Sequence, residues 1–161
     1  MTAIRTHRLV SATLLALLLP VAALLSAADA SAQPQPTLPR VQLQAGIHLI
    51  SAEVAASHDT RARGLMFRER LGPNQGMLFV FADKATQCFW MRNTLIPLSI
   101  AFIDDDGRIV NIADMQPRSD DSHCSAAPIR LALEMEQGWF AKRGVGPGAT
   151  IGGLSTLPPA R

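Results

Sequence analysis

Ile129-Arg130-Leu131-Ala132-Leu133-Glu134-Met135-Glu136 is the stretch on which the fold turns. By residue type it favours a helix, since Leu, Ala, Glu and Met are all good helix formers. By period it is a strand. Ile129, Leu131, Leu133 and Met135 alternate with Arg130, Glu134 and Glu136, and a period of two sends the first set inward and the second outward. Period outranks propensity here, so the segment reads as a β-strand with Glu134 facing out.

Neighbouring segments agree. Gly76-Met77-Leu78-Phe79-Val80-Phe81 is apolar on both faces, the mark of a central strand. Leu98–Ile103 and Arg108–Ala113 flank Asp104-Asp105-Asp106-Gly107, and Asp-Gly between apolar runs predicts a hairpin. Gly46–Ala56 reads as one or two further strand segments. Thr86–Met91 alternates, with Phe89 and Met91 on one face and Cys88 and Trp90 on the other. Pro97 suits a strand start, because it cannot donate to a central ladder. Ser57 can cap a short helix through Arg63, with Gly64 as its left-handed end. Gly72-Pro73-Asn74 is a turn. Gln116–Pro128 is a long polar loop. Trp139–Arg143 reads as a single helical turn stopped by Gly144, and a last short strand falls near Thr150-Ile151. The pattern predicts a mostly β, compact, sandwich- or barrel-like antiparallel domain with one or two short helices.

At the N-terminus, residues 1–32 read as a secretory signal. Arg5 and Arg8 precede an apolar run from Leu9 to Leu25, and Ala30-Ser31-Ala32 places cleavage before Gln33. Residues 33–45 form a linker with three prolines, residues 46–153 the β domain, and residues 154–161 a loose tail. Of the 161 residues 48% are hydrophobic and 17% charged, which supports a packed core and excludes a disordered chain. The net charge of +2 comes from scattered cations, with no basic stripe for nucleic acid. After signal cleavage no membrane span is expected. The chain then belongs in the periplasm or outside the cell, where disulfides persist.

Chemistry-bearing residues concentrate in Cys88-Phe89-Trp90-Met91-Arg92-Asn93-Thr94-Leu95-Ile96-Pro97. Arg92, Asn93 and Thr94 at a strand end offer a fork of donors, an amide and a hydroxyl, a set that suits an anion or a sugar. The same residues can instead serve a turn, with Arg92 pairing Glu53 or Glu134. Trp90 is either a stacking platform or a partly buried core residue. Arg68 joins Trp90, Arg92, Asn93 and Thr94 as a ligand-binding candidate. Cys88 and Cys124 are the only cysteines, and an exported chain predicts a disulfide that ties the long loop to the sheet. Met66, Met77 and Met91 have apolar neighbours and read as core fillers rather than copper ligands. His48, His58 and His123 lack metal-ligand spacing, and no phosphate loop or nucleophile elbow occurs. No metal and no cofactor is expected.

Several motifs resemble one family. They are Gly64-Leu65-Met66-Phe67-Arg68, then Gly76–Phe81, then Phe89-Trp90-Met91-Arg92-Asn93-Thr94 with Ile96-Pro97-Leu98. In this order they resemble the bacterial and archaeal domain of unknown function family 192, over about Gly46 to Ile151. The resemblance implies a compact, mostly β domain of sandwich type and supplies no activity. The family commonly has an acidic residue after Ile-Pro-Leu, where this chain has Ser99.

Three function classes remain. The first is a cell-envelope binding or accessory module with a shallow polar or anion-binding site. The second is a hydrolase or transferase on an envelope glycan, with Glu53 or Glu134 as acid or base. The third is a protein-interaction module with an apolar patch. A deep pocket holding a desolvated carboxylate would separate the second from the others.

Overall fold

The computed structural model describes residues 38–161. The expected signal, residues 1–32, and residues 33–37 of the expected linker lie outside them. Strands β1 (Arg40–Ala45), β2 (His48–Ala55), β3 (Gln75–Ala85), β4 (Cys88–Phe89), β5 (Leu98–Ile103), β6 (Ile109–Met115), β7 (His123–Cys124), β8 (Ile129–Glu136) and β9 (Ile151–Gly152) make the fold mostly β. One α-helix, α1 (His58–Arg63), and two 3-10 turns complete it. Seven strands form one sheet in the order β6-β5-β8-β3-β2-β1-β9, and β4 and β7 form a separate ribbon. Arg108 bridges to Thr150, and Ile109 N–H donates to Ala149 O at 2.8 Å, which joins the two edges. The sheet therefore curls into a half-barrel.

Ile129–Glu136 is a strand, as its period required. It pairs antiparallel with both β3 and β5. Its polar face, however, is solvated only at its ends, where Arg130 and Glu136 are exposed. Leu131, Leu133 and Met135 belong to an apolar cluster that includes Ile109 and Ile151 from the two edges, and so fills the curl. Ile129 and Ala132 belong to a second cluster on the other face, with Met77, Phe79, Ile100 and Phe102. Glu134 lies on that covered face and is 5% exposed. The expectation that Glu134 faces out is thus corrected: from Leu131 to Met135 β8 is buried on both sides, as its neighbour β3 is from Gly76 to Val80.

Two boundary expectations also change. Arg40–Ala45, assigned above to the linker, is a strand: Val41, Leu43 and Ala45 alternate with polar residues, and it pairs with β2 in full register. Residues 154–161 are pinned rather than loose. Leu157 and Ala160 pack on the inner cluster, and Arg161 N–H donates to Ala56 O at 2.8 Å. Nor is the sheet wholly antiparallel, because β2 and β3 run parallel. A parallel pair needs a crossover, which residues 56–74 supply through α1.

That crossover is well specified locally. Ser57 caps α1 in a capping box with Thr60, a device worth about 1 kcal/mol. Gly64 ends the helix at φ 48°. A Cβ there would stand 3.2 Å from the Phe79 ring, so Gly64 lets the helix end settle on β3. Six residues are too few for a stable isolated helix. Arg61 anchors this one by donating from Nη1 to Ala56 O at 2.6 Å and Val80 O at 3.0 Å. Among the described residues no helix is long and apolar enough to cross a membrane.

Candidate functional site

The helix, the sheet and the ribbon enclose a cavity of about 380 Å³. Phe79 and Glu134 reach it from β3 and β8. Leu65 and Met66 approach from the segment after α1, and His58, Arg61 and Arg63 from α1 itself. Cys88, Phe89 and Trp90 close it from the ribbon side, beside Thr94. The ribbon is seated by Phe89, whose ring meets Phe79 edge-on at 4.9 Å and Phe102 at 5.9 Å. Each such pair adds roughly 0.5–1.5 kcal/mol to plain burial.

Glu134 sits opposite Met77 of β3 and Ile100 of β5. Gly76 permits this close packing, since a Cβ there would run into the Glu134 carbonyl and the Met135 sulfur. Among the described residues no side chain or backbone group hydrogen-bonds the Glu134 carboxyl. Burial alone raises its pKa from 4.5 to about 8, so it is a neutral acid at pH 7. Thr94 is likewise 5% exposed, and its hydroxyl has no partner among the described residues. One acid and one hydroxyl thus line the cavity together with Gln87 and the polar side chains of α1, among apolar groups from Leu65, Phe79 and Phe89.

Glu53 is the other buried carboxylate proposed for chemistry. It lies in the same row on the far side of Met77, so its Cα is about 10 Å from that of Glu134 by strand spacing. Its two oxygens are taken by Arg40 at 2.9 Å and Arg68 at 2.7 Å. It does not line the cavity.

The five ligand-binding candidates divide. Trp90 and Thr94 line the cavity. Arg68 holds Glu53 instead. Arg92 donates from Nε to Asp120 at 2.7 Å and lies 4.7 Å over the Trp90 ring. Its partner is Asp120, neither Glu53 nor Glu134. Asn93 turns its amide to the Met66 sulfur at 3.8 Å. Phe67, Trp90 and Leu95 remain exposed around this region.

Arg92 and Asp120 are 62% and 65% exposed, so water screens their attraction. Arg92→Ala is therefore expected to cost no more than about 1 kcal/mol in chemical denaturation. A loss of 3 kcal/mol or more would assign Arg92 a structural role that this geometry does not contain.

Cys88 and Cys124 stand directly opposite in the β4–β7 ribbon and are joined, with Cα atoms 4.0 Å apart. The disulfide thus ties the loop to an outlying ribbon rather than to the main sheet. Ser99 donates to Asp114, the residue facing it across β5–β6, and accepts from Gly138 N–H at 2.8 Å. The carboxylate absent at 99 is therefore supplied by the neighbouring strand. Two acids facing each other there would repel. Ser99 lies on the sheet face opposite Glu134, so this departure leaves the cavity untouched.

A half-barrel with an outlying disulfide ribbon over an apolar cavity holding one buried acid is the class that fold and site define. The chain belongs to the DUF192 family, described as "Uncharacterized ACR", whose model matches residues 41–153. Two solved structures are similar. One is a proposed transcription regulator from Sinorhizobium meliloti 1021, with 34% identity and a TM-score of 0.67, covering 71% of this chain and 92% of that one. The other is a protein of unknown function from Novosphingobium aromaticivorans DSM 12444, with 36% identity and a TM-score of 0.70, covering 73% and 88%. No curated protein matches.

Proposed function

We propose that this chain is an exported binding or accessory module of the cell envelope, and that its ligand is a small molecule held in the Glu134 cavity. The observation that carries this reading is Glu134 itself. A buried acid with no protein partner costs several kcal/mol of desolvation if ionised, and since no fully buried side-chain oxygen among the described residues lacks a partner, its carboxyl keeps an opening to the cavity. Folds retain such groups chiefly where a ligand completes them. The apolar walls and the nearby Thr94 hydroxyl fit the general form of a small-molecule site. We place the ligand in this pocket rather than in the shallow groove expected from Arg68, Arg92 and Asn93, because Arg68 and Arg92 already pair with Glu53 and Asp120. Export rests on the signal-like leader, and the Cys88–Cys124 bond is consistent with it.

The test is mass spectrometry of small molecules that co-purify with the protein from periplasm. The wild type should retain a compound that Met66→Trp, which fills the cavity, does not. Identical extracts from both would remove the cavity from consideration.

The raised pKa of Glu134 also favours a second reading, a hydrolase or transferase on an envelope glycan with Glu134 as general acid. A glycosidase of the usual kind needs a second carboxylate in the cleft, and Glu53 is held outside it by Arg40 and Arg68. Release of reducing ends from envelope glycan by the wild type, absent in Glu134→Gln, would favour this reading over the first.

A further inference from the structure

Resting on that cavity as the binding site, we propose that it takes a small organic acid: an apolar body with one carboxylate that accepts a hydrogen bond from the Glu134 carboxyl. Three observations converge on this class. The Glu134 carboxyl, 5% exposed, meets no protein donor or acceptor, so in its neutral form it presents an O–H to the cavity. A carboxylate is the strongest acceptor for such a donor, because an O–H···O⁻ bond is charge-assisted and about twice as strong as a neutral one. The Thr94 hydroxyl can donate to the same group.

The walls set the rest of the molecule. Leu65, Phe79 and Phe89 offer no polar contact, so the body between them must be apolar. Charge then selects the sign of the head group. The charged or titratable groups lining the cavity besides Glu134 are His58, Arg61 and Arg63, all from α1. The lining parts of β3 and of the ribbon add none, and β5 faces Glu134 with Ile100. On β8, Arg130 and Glu136 are exposed and do not line the cavity. Glu53 lies across Met77 with its charge held by two arginines. Asp59 stands 3.4 Å from His58 and Arg61 is tied to the Ala56 and Val80 carbonyls, so the wall is modestly positive and favours an entering anion over an amine.

Binding of this kind needs one proton shared between two carboxyl groups. With Glu134 titrating near pH 8, the proton is present at pH 6 and lost at pH 9.5.

Isothermal titration of the protein with hexanoate and benzoate, against hexylamine, benzylamine and methyl glucoside, tests the class. The acids should bind saturably at pH 6, and their affinity should fall at least tenfold by pH 9.5. Glu134→Gln keeps a donor and should bind the acids with that pH dependence abolished, whereas Glu134→Ala should lose them. If an amine or the glucoside binds and the acids do not, with binding lost in Met66→Trp, the cavity reading stands and the organic-acid class is wrong. If acids bind equally to the wild type and to Met66→Trp, both fail. If no probe binds the wild type at millimolar concentration, the organic-acid class also fails, and the co-purification experiment judges the cavity by itself.

Discussion

Glu134→Gln is expected to stabilise the protein, and to do so more at pH 8.5 than at pH 5. The carboxyl titrates at 4.5 when exposed and near 8 when folded. Below pH 4.5 both states hold the proton and the group is nearly silent. Between 4.5 and 8 the unfolded chain ionises while the folded one does not, so the unfolded state gains and stability falls as pH rises. Above 8 the penalty is complete. The full shift corresponds to an upper bound on the order of 4–5 kcal/mol. Glutamine fills the same volume and does not ionise, so the variant escapes the penalty. Urea unfolding of both proteins at pH 5, 7 and 8.5 checks this. A gap that stays constant with pH would mean that Glu134 is not a buried neutral acid, and the cavity would lose its one acid.

The misread orientation of Glu134 shows where sequence reasoning stops. Alternation along Ile129–Glu136 correctly made it a strand and sent Leu131, Leu133 and Met135 to one apolar cluster, but Ile129, expected with them, packs in the other. It could not show that the opposite face is covered too. The clue lay one strand away. Gly76–Phe81 is apolar on both faces, and a strand buried on both faces needs an apolar layer on each side. A strand beside it, β8, then shares that cover, and Ala132 between Arg130 and Glu134 is small enough to sit beneath it. The strand pairing that joins the two observations is a long-range fact, invisible to local periodicity.

Local signals fared better than distant ones for the same reason. The Ser57 cap, the Gly64 stop, the turn at Asn74 with φ 53°, and the Asp-Gly hairpin with Gly107 at φ 79° are set by residues within a few positions of one another. The partners of Arg68 and Arg92 are 15 and 28 residues away, and sequence cannot rank such pairings. Trp90 and Thr94 could be named together as candidates because they share one short stretch. Glu134, which lines the same cavity, is 40 or more positions on.

Replacing both cysteines, Cys88→Ser with Cys124→Ser, is expected to cost about 4 kcal/mol. The bond spans 36 residues, and closing a loop of that length removes unfolded-state entropy worth about that much. Changing both residues avoids leaving a free thiol whose reactivity would confuse the result. The ribbon keeps other ties. Ser125 N–H donates to Gln87 O at 2.9 Å, Asn111 holds Cys124 O at 3.1 Å and Ala126 N–H at 2.9 Å, and Phe89 remains packed on Phe79. These are local contacts in the folded state and do not restrict the unfolded chain, so they cannot replace the lost constraint. Guanidinium unfolding of the double variant measures the cost. A loss near 4 kcal/mol with unchanged emission from Trp90 places the bond's effect in the unfolded state. A loss below 1 kcal/mol would mean that the unfolded chain is already compact between these positions. A shifted Trp90 emission in the folded variant would instead show that the bond holds the cavity wall, since Cys88 and Trp90 both line it. Ligand affinity should then fall together with stability.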